Sequence, residues 1–276
     1  FNFQAGAKAA GANHLVSFEA GLRENMVPQD ATAVVESANL AELVVDFESF
    51  LLEHQLGGQV QLQGNQATFS LIGKAAHGST PSKGVNAATF LAKYLHRFEF
   101  DQAGAESFLH LLADHLHLDF EGVNLGVAHR DPVMQELTMN VGLVNYQDDK
   151  GGSVVANFRY PKGTDPEKMA AQTAQRLAGH DLSVEWGEFK EPHYVSVDDP
   201  MVKELLAVYE EQTGLEGHEM TIGGGTYGRL MPRGVAYGAL FPDSIDTMHQ
   251  ANEFIAIDDL LKATAIYAEA IYRITR

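Results

Sequence analysis

Apolar positions along this chain switch between two spacings, and the switches mark out its elements. His14–Glu19 (HLVSFE) alternates weakly and predicts a strand, with a second at Ala31–Glu36. Leu40–His54 carries Leu40, Leu43, Val44, Phe47 and Leu51 at helical spacing, and Gly57-Gly58 stops it. Val60–Leu62 and Ala67–Ile72 face each other across Gly64-Asn65 as a hairpin. Together these make a strand–helix–strand–strand unit of the α+β kind. Helices are expected at Ala87–Phe98 and, amphipathic, at Glu106–Asp119. Leu137–Tyr146 and Ser153–Tyr160 form a second hairpin across a loop ending in Gly151-Gly152. A helix at Pro166–Ala178, with Asp165 near its start, and an edge strand at Leu182–Trp186 follow, and Lys190–Asp199 is expected to be a linker. Beyond it, a helix over Pro200–Gln212 ends at Thr213-Gly214. The run Gly234–Phe241 (GVAYGALF) predicts a buried strand. The closing helix, Ile257–Ile274, is expected to pack on a sheet through Leu260, Leu261, Ala265, Ile266, Ala270 and Ile271.

Composition narrows the classes. The 276 residues leave room for two domains at ~100–200 residues each. Apolar residues make up 45%, as in a globular protein, and no run approaches the ~18 apolar residues of a membrane-spanning helix. The first residues have neither the basic region nor the apolar core of a signal peptide. With no cysteine, disulfides and thiolate chemistry are excluded, which suits a reducing cytoplasm. A formal charge of −18 argues against nucleic acid and anionic membranes as partners.

Three places carry candidate chemistry. In Thr221–Phe254, Gly223, Gly224 and Gly225 precede Thr226, and such a run lets backbone N–H groups approach an anion or carbonyl. His249 follows in the same stretch. A lone histidine near a loop is more often solvated or packed, but glycines, an apolar strand and an imidazole converge where pockets form at strand ends. His77, in Gly73-Lys74-Ala75-Ala76-His77-Gly78-Ser79-Thr80-Pro81, sits among small residues that leave an imidazole accessible; an incidental loop histidine is the plain alternative. Arg159 ends a strand in Asn157-Phe158-Arg159-Tyr160-Pro161, where it is either solvated or a fork for a carboxylate.

The order GGGTYGRL, an apolar strand and D-T-M-H-Q, preceded by G-K-A-A-H-G-S-x-P, resembles the di-zinc dipeptidases. These are the PepV-type and Xaa-His dipeptidases, related to carnosinase and acetylornithine deacetylase. The resemblance implies a lid domain of two α/β halves in tandem over residues 1–191, then the C-terminal part of a catalytic domain over 192–276. It implies that His249 is a zinc ligand and that His77 stabilises the oxyanion of a tetrahedral intermediate. Asn25 (in R-E-N-M-V-P) would help hold the substrate, Arg159 would bind the dipeptide's C-terminal carboxylate, and Gly223, Gly224, Gly225 and Thr226 would line its pocket. The implied cofactor is a pair of zinc ions, other divalent metals being open, whose bridging hydroxide attacks the peptide bond. Two look-alikes are set aside. His117-Leu118-Asp119 imitates the family's His-x-Asp ligand, but residues two apart on a helix diverge by about 200°, and a solvated helix face is the reading preferred for His110, His115 and His117. Glu210-Glu211 ends a surface helix with no strand leading into it. The family's remaining ligands have no counterpart here, so the chain is read as a C-terminal portion whose partner is a missing N-terminal catalytic segment. By itself it is expected to bind zinc weakly and to be inactive. A deacetylase or desuccinylase, and a non-catalytic peptide-binding fragment, are the alternatives.

Overall fold

The computed structural model describes residues 1–5, 8–238, 240–245, 247 and 252–276. The chain divides into two compact units, Phe1–Pro192 and His193–Arg276.

The first unit is built on an antiparallel sheet. In chain order its elements are β1 (Asn2–Phe3), β2 (Asn13–Ala20), β3 (Asp30–Ser37), α1 (Leu40–His54), β4 (Gly57–Gln63), β5 (Gln66–Ile72), α2 (Ala87–Leu95) and α3 (Ala103–His110). A π-helical turn, Leu111–Leu116, continues α3. Then come the short pair β6 (Arg130–Asp131) and β7 (Gln135–Glu136), β8 (Thr138–Gln147), β9 (Gly151–Arg159) and α4 (Pro166–Arg176). Among the described residues the main sheet has seven strands in the order β1-β9-β8-β2-β3-β5-β4. The two α/β halves are joined edge to edge, because β2 pairs with β8 from Ser17↔Gln147 to Ala20↔Val144. One core therefore serves both halves.

Period-two burial explains the strands. Ala31, Ala33 and Val35 of β3, and Ala67, Phe69 and Leu71 of β5, turn to one side and are buried. Helix α1 sets Leu43, Phe47 and Phe50 on that surface, where the Phe47 ring lies 5.2 Å from Phe69 and 4.8 Å from Tyr94 of α2. Burying side chains of this size contributes roughly 1.5–3 kcal/mol each. The edge strand β4 is mostly polar and exposed (Gln59, Gln61, Gln63), which discourages pairing with another chain. Helix α1 ends one step earlier than its glycines suggest: Gln55 takes the left-handed conformation at φ 54° and closes the helix. Helix α2 is capped by Asn86, whose Oδ1 accepts from the N–H groups of Ala88 and Thr89 and whose Nδ2 donates to Val141 O of β8.

Several expected elements differ. Leu182–Trp186 is not a strand: only Ser183 pairs, with Asn2, because the two-residue β1 cannot template a longer ladder. Glu106–Asp119 is not one helix, since α3 passes into the π-turn and His117 leaves it with extended backbone.

In the second unit α5 (Pro200–Thr213) and α6 (Ile257–Ile274) pack on each other through Leu205, Val208, Ile266 and Ala270. Asp199 caps α5, and Gly214 ends it at φ 70°. Arg273 of α6 ties to Glu204 and Glu211 of α5 and to Glu269. The run Gly234–Phe241 is not a strand in its described residues. A strand needs a neighbouring strand for its N–H and C=O groups, and the described residues of this unit form none. It is held instead through side chains: Val235, Tyr237 and Phe241 pack on the helix pair, and the Tyr237 hydroxyl donates to Leu205 O at 2.7 Å. Helix α6 thus packs on a helix rather than a sheet, and its Leu260, Leu261 and Ile271 stay exposed. Among the described residues no helix is long and apolar enough to cross a membrane.

Candidate functional site

Strand register brings Asn25, His77 and Arg159 to the same end of the sheet. β2 stops at Ala20, opposite Val144, so the first residues of β8 run on past it. The connection from β2 to β3, residues 21–29, folds over that overhang. Two glycines allow the approach. Gly21 takes φ 86°, and a Cβ there would lie 1.9 Å from Gly142 O; a Cβ on Gly142 would lie 2.3 Å from Glu24 O. Asn140 of β8 then pins the loop, its Nδ2 donating to Glu24 O at 2.9 Å and Met26 O at 3.0 Å.

The loop after β5 is stitched to the same segment. Gly78 N–H donates to Asn25 O at 2.7 Å and Val27 N–H to Ala76 O at 2.9 Å, with Met26 and His77 bridged between them. A Cβ on Gly78 would meet Asn25 O at 2.8 Å, so the glycine after His77 is required for this contact. Asn25 and His77 are both exposed and held backbone to backbone. Ser79 N–H reaches His77 Nδ1 at 3.2 Å, and the Ser79 hydroxyl is 2.7 Å from the same nitrogen. A backbone N–H can only donate, so Nδ1 accepts and the neutral ring carries its proton on Nε2, which makes Nε2 a donor.

Arg159 ends β9 opposite Thr138, and Asn157 lies opposite Asn140. Met139, Val141 and Val154 fill the core, so by alternation these four polar residues share the other face of the sheet. Thr138 Oγ1, Asn140 Oδ1, Asn157 Oδ1 and Arg159 Nε are all buried with no hydrogen-bond partner among the described residues. Such orphans cost roughly 1–3 kcal/mol each and are uncommon in folded proteins, so a cluster of four calls for an explanation. Arg159 is half-buried, and burial lowers its pKa below the ordinary guanidinium value. A cation held this way on an acidic protein is a strong anchor for a carboxylate.

Residues 6–273 match the profile of peptidase family M20/M25/M40. The chain belongs to that family. It is 45% identical over 263 residues to a Beta-Ala-Xaa dipeptidase of Lactobacillus delbrueckii subsp. lactis, covering 95% of this chain and 55% of that protein. It is 39% identical over 264 residues to a putative dipeptidase of Bacillus subtilis (strain 168), covering 95% and 56%. A putative dipeptidase of Staphylococcus haemolyticus (strain JCSC1435) is 39% identical over 259 residues, covering 94% and 55%. The chain spans about half the length of the curated relatives it matches.

Members of this peptidase family are typically metal-dependent. His249, the ligand expected from the sequence, lies outside the described residues. Nearby, Thr247 Oγ1 accepts from Phe254 N–H and donates to Phe254 O. Among the described residues, no group of three metal-ligating side chains comes together in the second unit; both such groups are in the first. The described residues therefore do not by themselves assemble the two-metal centre that the resemblance implies. Gly223, Gly224 and Gly225 are exposed and Thr226 half-buried; Thr226 precedes a short 3-10 turn, Tyr227–Leu230.

The look-alike motifs have structural roles. Asp119 accepts from the N–H groups of Glu121, Val123 and Asn124, while His117 packs edge-on against Phe90 and lies 3.2 Å from the Thr89 hydroxyl. Glu211 pairs with Arg273, and Glu210 accepts from Gly217 N–H. A solvated face is the wrong description for His110, His115 and His117, which are all half-buried. Thr138 and Asn140 went unnoticed in the sequence, although the alternation in Thr138-Met139-Asn140-Val141 places both on one face.

Proposed function

We propose that this chain is the substrate-binding lid and part of the catalytic domain of a metal-dependent dipeptidase. The single observation that carries the reading is the sheet end where Arg159, among orphaned polar atoms, lies on the same rim as the stitched His77–Asn25 pair. A dipeptide offers what this rim lacks. Its carboxylate would accept from Arg159 Nε, and its peptide N–H would donate to one of the oxygens of Asn140, Asn157 and Thr138. His77, with its proton on Nε2, would donate to the carbonyl oxygen as negative charge builds on it, and Asn25 beside it would hold the substrate. Gly223, Gly224, Gly225 and Thr226 would line the pocket.

When bound, the metal pair would polarise the carbonyl and activate water. Of this chain His249 is the proposed ligand, zinc the proposed metal, and the remaining ligands would come from a further catalytic segment in the complete enzyme. Without that segment the chain is expected to hydrolyse nothing. A cysteine-free, acidic protein suits the cytoplasm.

The test compares a free dipeptide with its C-terminal amide, on the complete enzyme and its Arg159→Ala variant. A charge-assisted hydrogen bond is worth roughly 1.5–3 kcal/mol, or about 10- to 150-fold. Arg159→Ala should lower kcat/KM for the free acid by about that factor and leave the already poor amide little changed. Arg159→Lys should recover only part, since the planar fork is lost. Equal losses for acid and amide would mean that Arg159 does not touch the carboxylate.

A further inference from the structure

Far along the sequence from the candidate site, α3 changes pitch. Residues Ala103–His110 are α-helical and Leu111–Leu116 π-helical. Five residues along an α-helix turn the side chain by about 140° relative to the first. The wider π-turn repeats at i→i+5 and brings such a pair toward one side, and π-turns recur at functional sites. Here the pair is His110 and His115, with ring centroids 5.3 Å apart. A third imidazole arrives from a distant part of the sequence. After α4, Gly179 takes φ 92°, the chain reverses, and His180 stacks on His110 at 4.5 Å and approaches His115 at 5.4 Å. One ring nitrogen from each of the three lies within 4.8 Å of the others.

The surroundings orient these rings. Asp114 Oδ2 lies 3.1 Å from His110 Nδ1 and 3.1 Å from His96 Nε2, while Lys93 Nζ holds the other carboxylate oxygen at 3.0 Å. With Nδ1–H of His110 given to Asp114, Nε2 is left with its lone pair. This is the carboxylate–histidine arrangement that fixes tautomer and orientation at imidazole metal ligands. Burial, reinforced by the neighbouring imidazoles, lowers the pKa of His110 and His115 against the opposing pull of Asp114. Plain ring stacking would account for the contacts but not for the convergence of one nitrogen from each ring.

We propose that His110, His115 and His180 form a binding site for one divalent transition-metal ion of the zinc, nickel or copper type. An all-imidazole donor set suits these ions and not magnesium or calcium. Metal–nitrogen bonds of about 2.0–2.1 Å would draw the three nitrogens together to roughly 3.3 Å, within reach of small ring rotations in half-buried side chains. The ion would tie the end of α3 to the turn after α4. This site is independent of the dipeptidase reading, and its test uses no activity.

Calorimetric titration of the 276-residue chain with NiCl2, and separately with ZnCl2, should show one equivalent that survives His249→Gln. It should weaken at least tenfold in His115→Gln and in His180→Gln. Asp114→Asn should weaken it by roughly 10- to 100-fold as a positioning residue. Imidazole proton resonances of His110, His115 and His180 should shift on adding ZnCl2 to the unsubstituted chain, a readout that needs no variant to fold. Unchanged affinity and stoichiometry in folded His115→Gln/His180→Gln chain, or zinc shifts confined to other histidines, would overturn the proposal.

Discussion

The two units spend their apolar residues differently. The first closes a continuous core around Phe18, Phe47, Phe69, Tyr94 and Phe108, each fully buried, and leaves orphaned polar atoms at one end of its sheet. The second buries Leu205, Val208, Ile266 and Ala270, and leaves Ile222, Leu230, Leu240, Leu261 and Ile271 exposed. The first has a large closed core, although Leu22, Val45 and Leu52 remain exposed on it; the second has only the small core of its helix pair. An antiparallel sheet with helices on one face supplies its own ladder partners, whereas the described residues of Gly234–Phe241 have no strand neighbour and use turns and side chains such as the Tyr267 hydroxyl instead.

The largest effect should come from attacking that difference in the cores. Phe47→Ala removes a ring enclosed by Phe69 and Tyr94 and should cost about 3–5 kcal/mol. Leu261→Ala, on the exposed face of α6, should stay within about 0.5 kcal/mol. Urea unfolding followed by Trp186, the single tryptophan and a neighbour of Phe158, reports the first unit; circular dichroism reports both. Comparable losses for the two variants would remove the contrast.

His77 sharpens the comparison from the functional side. In the complete enzyme His77→Ala should lower kcat by roughly 10²–10³, the cost of one lost oxyanion donor. KM should change much less, because the contact strengthens only as the oxyanion forms. The melting temperature should stay put, since the ring is exposed on a completed unit. An effect on KM alone would reassign His77 to simple binding.

Asn86 tests whether the two halves share one core. Losing its cap on α2 should cost roughly 0.5–2 kcal/mol. The bond to Val141 O crosses between halves, so Asn86→Ala should lower a single unfolding transition rather than split it in two.

The smallest effect concerns His14, which bridges Asp101 and Asp148. Burial alone would lower its pKa, but hydrogen bonds to both carboxylates outweigh that and raise it above the ordinary 6.5. The stabilisation is present below pH 6.5 and is lost as pH rises through the higher folded value. For so exposed a group it should be under about 1 kcal/mol. His14→Asn should flatten that part of the stability–pH curve, and an unchanged slope would show the bridge to be inert.

What the sequence determined was local. Period-two burial gave β2, β3, β5, β8 and β9 to within a few residues, helical spacing gave α1 and α6, and Asp165 marked a helix start. Those patterns are legible because each strand or helix presents its apolar face through its own periodicity. The small residues around His77 and the strand-ending Arg159 drew attention for the same local reason. Tertiary structure decided what depends on residues distant in sequence. The Asn25–His77 stitch needs Gly78 against a carbonyl more than 50 positions earlier, and the polar orphans around Arg159 exist only because β8 and β9 pair in one register. The strand expected at Gly234–Phe241 failed because pairing requires a neighbour that local pattern cannot supply. The histidine cluster depended on a change of helical pitch after His110 and a left-handed turn at Gly179, neither of which leaves a periodic mark on the sequence.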